Sequence, residues 1–230
     1  SEIFAASDGR YGYRRIRLDL RSEGVRVSEK VVARLMRELD LVAKRGRKRR
    51  YSSYKGEISD APENLVKRNF HADAPNTLRL TDITEFGIPA GKVYLSPVVD
   101  CFDGMAVSWA MSTSPNAELA NAMLDAAAAT LSEGEHPVGH ADRGCHYRWP
   151  GWIERCEKYG ITGSMSKKGC SPDNGACEGF FGRLKVELFY GRCWSGWSVD
   201  DFMDAVDRYI HWYNERRIKE SLGGMSPLQY

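Results

Sequence analysis

The chain has 230 residues, 42% hydrophobic and 11% aromatic, with a formal net charge of +2. That length allows one large domain, or a core of about 150 residues with appendages, and the apolar content excludes disorder as the overall state. No run approaches the roughly 18 apolar residues of a membrane span and no signal-peptide pattern opens the chain, so a soluble, intracellular protein is expected. The charge is uneven: residues 1–50 hold 15 Lys and Arg against 7 Asp and Glu, and the other 180 hold 18 against 24. A basic front on a mildly acidic body suits an arm that contacts a polyanion, joined to an acid-bearing unit. The six cysteines show no C-x-x-C pairing and read as free thiols.

In chain order, residues 9–22 are weakly helical and Gly24 supplies a break. Ser28 is the expected N-cap of a clearer helix, with Val31, Val32, Leu35, Met36 and Leu39 on one side and Lys30, Arg34 and Arg37 on the other. Two short helices with a basic outer face resemble a helix-turn-helix contacting DNA, and a solvated face on a small bundle is the other reading. The run KRGRKRR supplies Lys44, Arg45, Arg47, Lys48, Arg49 and Arg50 as candidate phosphate contacts. Residues 51–75 read as an extended linker with a short helix at 62–68.

The core begins near Thr77. TLRLTDITEF, KVYLSPVVDCF and MAVSWAMS read as three antiparallel strands, with Asp100 and Asp103 shaping the Asp-Gly turn. Ser114-Pro115 is the expected start of a helix to about Leu131, with Leu119, Met123, Ala126 and Thr130 as its stripe. A short strand at 136–141 follows, then a helix at 149–159, a strand at 161–165 and a loop. The order βββαβαβα predicts an α/β fold, a mixed five-stranded sheet flanked by helices and preceded by the small helical segment. A last helix opens at Ser198 with Asp201 at the capping-box position, and Phe202, Val206, Tyr209 and Tyr213 form its apolar stripe. Trp194, Trp197 and Trp212 read as packing. The expected organisation is a helical DNA-contact segment at 1–43, a basic and extended linker at 44–75, a core at 76–190 and a helical extension at 191–230.

Three acids occur in three different settings: Asp82 in a strand, Asp142 after a strand and Glu178 in a helix, with fifty-nine and thirty-five residues between them. Two-metal phosphoryl chemistry needs carboxylates converging from separate elements, so these are the candidate catalytic and metal-ligating residues. The helix that opens at Pro172 or Asp173 gathers Cys177, Phe180, Phe181, Leu184 and Leu188 on one side, while Asn174, Gly182 and Lys185 fall within about 40° of Glu178. Lys167, Lys168 and Lys185 are candidate phosphate-positioning residues. His140 and His146 flank Asp142, but a hard cation prefers oxygen and a non-ligand role is expected for both.

TDITEF, HADRG-x-x-Y, SPDNGACEGFFGRLK-x-E and WYNERR-x-x-x-SLGGMSPLQY together resemble the catalytic subunit of IS-three-family insertion-sequence transposases. The similarity runs from YGYRRI to the C-terminus. It implies a ribonuclease-H-like core related to retroviral integrases, with Asp82, Asp142 and Glu178 as the DDE triad. It further implies two Mg²⁺ ions, for which Mn²⁺ can substitute, and cleavage and strand transfer of double-stranded DNA at element ends and target. A homo-oligomer on DNA, an upstream reading-frame product as fusion or partner, and a bacterial cytoplasmic, nucleoid-associated location are expected with it. The family often has Trp, Ser and Ala where Arg79, Ala141 and Gly175 stand here. A non-catalytic DNA-binding regulator and a metal-dependent ribonuclease are the alternatives. No chemical role for Asn214 or Arg216 follows from their spacing.

Overall fold

The computed structural model describes residues 1–43, 61–167 and 171–230. The described residues form two compact units, one of 1–43, 182–192 and 211–230, the other of 61–167, 171–181 and 193–210. This grouping departs from chain order, with 182–192 and 211–230 going with the N-terminal helices.

In the first unit, α1 (Glu2–Ala6), α2 (Tyr13–Ser22) and α3 (Glu29–Glu38) are helical. Ser28 caps α3, its side chain accepting the Val31 amide at 3.4 Å. Val32 and Met36 bury against Tyr11 and Ile16, whereas Leu35 and Leu39 are exposed. The expected five-residue apolar side of α3 is thus only half used, because the small neighbouring helices cover one strip of it. The C-terminal tail completes this unit. Tyr11 donates its hydroxyl to the Arg216 carbonyl and accepts the Ile218 amide, both at 3.1 Å. The Arg10 guanidinium lies 4.4 Å above the Trp212 ring. Arg217 grips the buried Glu187 carboxylate with two bonds, at 2.9 and 2.7 Å.

The second unit is built on a mixed sheet of β1 (Leu78–Thr81), β2 (Thr84–Ile88), β3 (Gly91–Asp100), β4 (Ala106–Ser112), β5 (Val138–Ala141) and β6 (Thr162–Met165). β1 pairs antiparallel with β3 and parallel with β5, β5 pairs parallel with β6, and β3 pairs antiparallel with both β2 and β4. The single first strand expected from the sequence is two, so six strands stand where five were read. The break falls at Asp82–Ile83. Continuing the registers Thr81↔Val98 and Thr84↔Leu95 sets Asp82 opposite Pro97, which has no amide hydrogen to give. Asp82 instead turns its carboxylate onto the Ile83 amide at 2.7 Å.

Asp100 and Asp103 shape the β3–β4 turn as expected, accepting the amides of Phe102 and Met105 at 2.9 and 2.7 Å. The first crossover helix, α4 (Ala117–Ala128), starts later than expected because Asn116, not Ser114, caps it through the Leu119 amide at 3.0 Å. Its buried residues are Leu119, Ala120, Met123, Leu124 and Ala127, while Ala126 and Thr130 of the expected stripe are exposed. α5 (Pro150–Lys158) follows β5. α6 (Gly175–Leu184) follows β6 after a 3₁₀ turn at Ser171–Asn174 and runs into a π-helical turn at Lys185–Phe189. α7 spans Val199–Glu215. Consecutive residues of β4 contact helices on opposite faces: Ser108 bonds the Met123 carbonyl of α4 at 3.1 Å, and the Trp109 indole bonds Asp207 of α7 at 2.9 Å. The capping box at Ser198 and Asp201 forms with both of its bonds.

No helix forms at 62–68. Lys67 and Arg68 adopt positive φ, and the segment spends its polar groups on the core: the Leu65 amide bonds Ser164 Oγ at 3.0 Å, and Asn64 and Arg68 reach Asp173.

Candidate active site

Parallel pairing of β1 with β5 sets Thr81 beside Ala141, so the next residues, Asp82 and Asp142, leave the same end of neighbouring strands. Asp142 Oδ1 accepts the Gly144 amide at 2.7 Å. A Cβ on Gly144 would stand 2.8 Å from that oxygen, which gives the HADRG turn a steric reason for glycine. Burial raises the Asp142 carboxyl above its usual range, opposed by the Gly144 amide and by His146 and His140. Tyr147 is fully buried with its hydroxyl 3.5 Å from Thr81 Oγ1, and burial, then Asp82 and Asp142, push its ionisation well above the ordinary range.

Glu178 is exposed on α6, and partial burial raises its carboxyl above the usual value. The apolar seam of this helix forms as the periodicity predicts, with Cys177, Phe180, Phe181, Leu184 and Leu188 all buried. The Cys177 thiol is pushed well above its usual range by burial first, then by Asp82, Cys101, Asp142 and Glu178. One buried side chain therefore lies within electrostatic reach of all three candidate acids.

His140 is fully buried and occupied by protein partners. Its Nε2 donates to the Asp173 carbonyl at 2.9 Å, which leaves Nδ1 to accept from Ser164 Oγ at 2.8 Å. Burial lowers its proton affinity. His146 meets Trp149 edge-on with ring centres 5.0 Å apart.

Among the described residues, no three His, Cys, Asp or Glu side chains stand close enough to hold a metal ion as placed. The two strand-end carboxylates nevertheless fit a hard divalent cation in chemistry, since both present oxygen. Buried nearby, Asn174 adds an amide oxygen, Oδ1, without a hydrogen-bond partner among the described residues.

The remaining candidates are dispersed. Lys30, Arg34 and Arg37 are exposed on α3, opposite Val32 and Met36, and Arg34 pairs with Glu38 at 3.6 Å. Lys167 is exposed just after β6. Lys185 opens the π-helical turn and groups with the first unit, whereas Glu178 groups with the second. Lys44, Arg45, Arg47, Lys48, Arg49, Arg50 and Lys168 lie outside the described residues. Asp173 was not singled out from the sequence, and its only signal was its place at the start of the Glu178 helix.

The strand order and the helical crossover are those of an integrase-type core, preceded in the chain by a helix-turn-helix-like module. Integrase core domain models match residues 72–171 and 178–230, and an HTH-like domain model matches 1–49. A chain of the simian T-cell lymphotropic virus intasome in complex with PP2A regulatory subunit B56 gamma shares the fold, with TM-score 0.55 over 71% of this chain and 56% of that one at 20% identity. A probable transposase for insertion sequence element IS1353 of Shigella flexneri is 63% identical over 96% of this chain and 43% of its own length. A putative transposase for element IS150 of Escherichia coli is 42% identical over the whole chain and 80% of its own length. The chain thus spans less than half of the first of these relatives and four-fifths of the second. It belongs to the IS-three family of insertion-sequence transposases.

Proposed function

We propose that the chain catalyses Mg²⁺-dependent cleavage and strand transfer of double-stranded DNA at the ends of an insertion sequence, with Asp82, Asp142 and Glu178 as its catalytic acids. The observation that carries this reading is the Thr81↔Ala141 pairing, which sends two carboxylates out of the same sheet end in a chain of transposase family. Asp82 and Asp142 would hold the metal from the two strand ends, and Glu178 would join them from α6. Bound there, a pair of Mg²⁺ ions supplies Lewis acidity to the scissile phosphate and lowers the pKa of the attacking hydroxyl. The protein's own part would be to set these oxygens on its strands and helix, within electrostatic reach of the buried Cys177.

Lys167 and Lys168, between Asp142 and Glu178 in sequence, and Lys185 would meet phosphates. Lys30, Arg34 and Arg37 on α3, with the basic run at 44–50, would hold the duplex through charge. Cleavage produces a 3′-hydroxyl and joining uses one, so the same acids serve both steps. Transfer of two ends to a target asks for at least two copies on DNA, and the upstream reading-frame product is the proposed fusion or partner. Work on DNA would put the protein in the bacterial cytoplasm, at the nucleoid.

Asp82→Asn, Asp142→Asn and Glu178→Gln are each expected to abolish nicking of a labelled element-end duplex in Mg²⁺ while leaving duplex binding in a gel-shift assay largely intact. Wild-type nicking by any one of them would refute the assignment. Nicking absent from the native protein as well would favour the pure DNA-binding alternative.

A further inference from the structure

The turn that opens α6 is tied to both acid-bearing strands by two consecutive residues. Asn174 is buried, and its Nδ2 donates to the Thr81 carbonyl at 3.3 Å, one residue before Asp82. Asp173 is buried too, and its own carbonyl accepts from His140, two residues before Asp142. The Asp173 carboxylate is then held from three directions: by Arg68 Nε at 2.7 Å, by Asn64 Nδ2 at 3.1 Å and by the Lys167 amide at 3.1 Å.

We infer that Asp173 and Asn174 are positioning residues that act through Glu178, fixing the start of its helix against β1 and β5 so that its carboxylate can join Asp82 and Asp142. The inference rests on the acid-site reading above. Three features support it. Each residue addresses a different strand, so the pair constrains the helix start against both acids. Glu178 is one helical turn beyond Asn174, close enough for an error at the anchor to pass to it undiminished. The carboxylate of Asp173 also brings in Asn64 and Arg68, whose backbone gives up helix formation in the segment where the sequence predicts it. A buried carboxylate with several donors is a rigid junction, and buried, fully bonded groups of this kind hold neighbouring ligands in place.

The test is Mn²⁺ affinity of the purified full chain, followed by water-proton relaxation, with folding checked by thermal melting in the absence of metal. Glu178→Gln reports on the acid site itself. Asp173→Asn and Asn174→Ala are each expected to weaken Mn²⁺ binding roughly tenfold, the scale of residues that orient ligands. The decisive readout is the pairing with Glu178→Gln. If the anchors act through Glu178, Asp173→Asn adds nothing to the loss already caused by Glu178→Gln. Unchanged affinity in both anchor variants, or losses that simply add to that of Glu178→Gln, would overturn the inference while leaving the acid site standing. A native chain whose Mn²⁺ binding ignores Glu178→Gln would overturn the acid-site reading and this inference with it. Should Asn174→Ala fail to fold, Asp173→Asn decides alone, since it is isosteric, keeps an acceptor oxygen for Arg68 and turns the oxygen that Asn64 and the Lys167 amide share into a donor.

Discussion

Gly144 shows how closely the acids are hemmed in. Its amide holds Asp142 Oδ1, and the missing side chain is the space that carboxylate fills. Gly144→Ala is therefore expected to push Asp142 aside and lower element-end cleavage about a hundredfold, the usual consequence of an ångström-scale displacement, with little change in melting temperature. Single-turnover cleavage at the native rate would show that the carboxylate tolerates the methyl. Arg79 is a charged side chain buried in β1, and its setting accommodates it. The buried guanidinium donates to the Ala127 carbonyl at 2.7 Å and to Thr130 Oγ1 at 2.8 Å, and its Nε lies 3.8 Å from Asp100. A cation at the carbonyl end of α4 is favoured by the helix dipole.

At the scale of elements, α4 and α5 are joined by a polar clasp as well as by their apolar faces. Asp125 accepts from Arg155 Nε at 2.9 Å and from the Tyr159 hydroxyl at 2.8 Å. Burial works to raise the Asp125 carboxyl, but the bonds from Tyr159 and Arg155 outweigh it, and the carboxyl lies below its ordinary range. The folded state thus binds this proton more weakly than the unfolded chain. The clasp's contribution is present above the unfolded carboxylate range and is lost as pH falls through the depressed value. Both side chains are a third or more exposed, so Asp125→Asn should cost no more than about 1 kcal/mol at neutral pH. The gap between the two proteins' melting curves should close below about pH 4. A gap of constant size down to acid pH would assign the loss to packing rather than to charge.

For the molecule as a whole, the grouping of both termini explains the WYNERR-x-x-x-SLGGMSPLQY signature, for which spacing offered no chemistry. Trp212 carries Arg10, the backbone at 216–218 receives Tyr11, Arg217 neutralises Glu187, and Gly224 lies against Leu18. The C-terminal tail is thus the platform on which the helix-turn-helix-like module folds. Arg217→Ala strips the buried Glu187 carboxylate of its two-bond partner, Arg15 standing at 3.6 Å, and should destabilise this unit by about 3 kcal/mol. Hydrogen exchange should then speed up in α2, α3 and the tail while the strands of the core keep their protection. Equal acceleration across both units would mean that they unfold together.

Periodicity, capping residues and turn chemistry are local, so the chain alone determined the Ser28 cap, the apolar seam of α6, the Ser198 capping box and the order of strands and helices. It also singled out the three acids, because each stands out within its own element. What it left undecided depends on partners far away in the chain. The first strand breaks at Asp82, opposite Pro97, because pairing with β3 fails there. Segment 62–68 gives up its helix to reach Ser164 and Asp173. Half of the α3 stripe stays exposed because the neighbouring helices cover only part of it. The junction of Asp173 with Arg68, His140 and Lys167 joins residues up to 105 positions apart, and hydrogen bonds at that separation leave no period to read in the sequence.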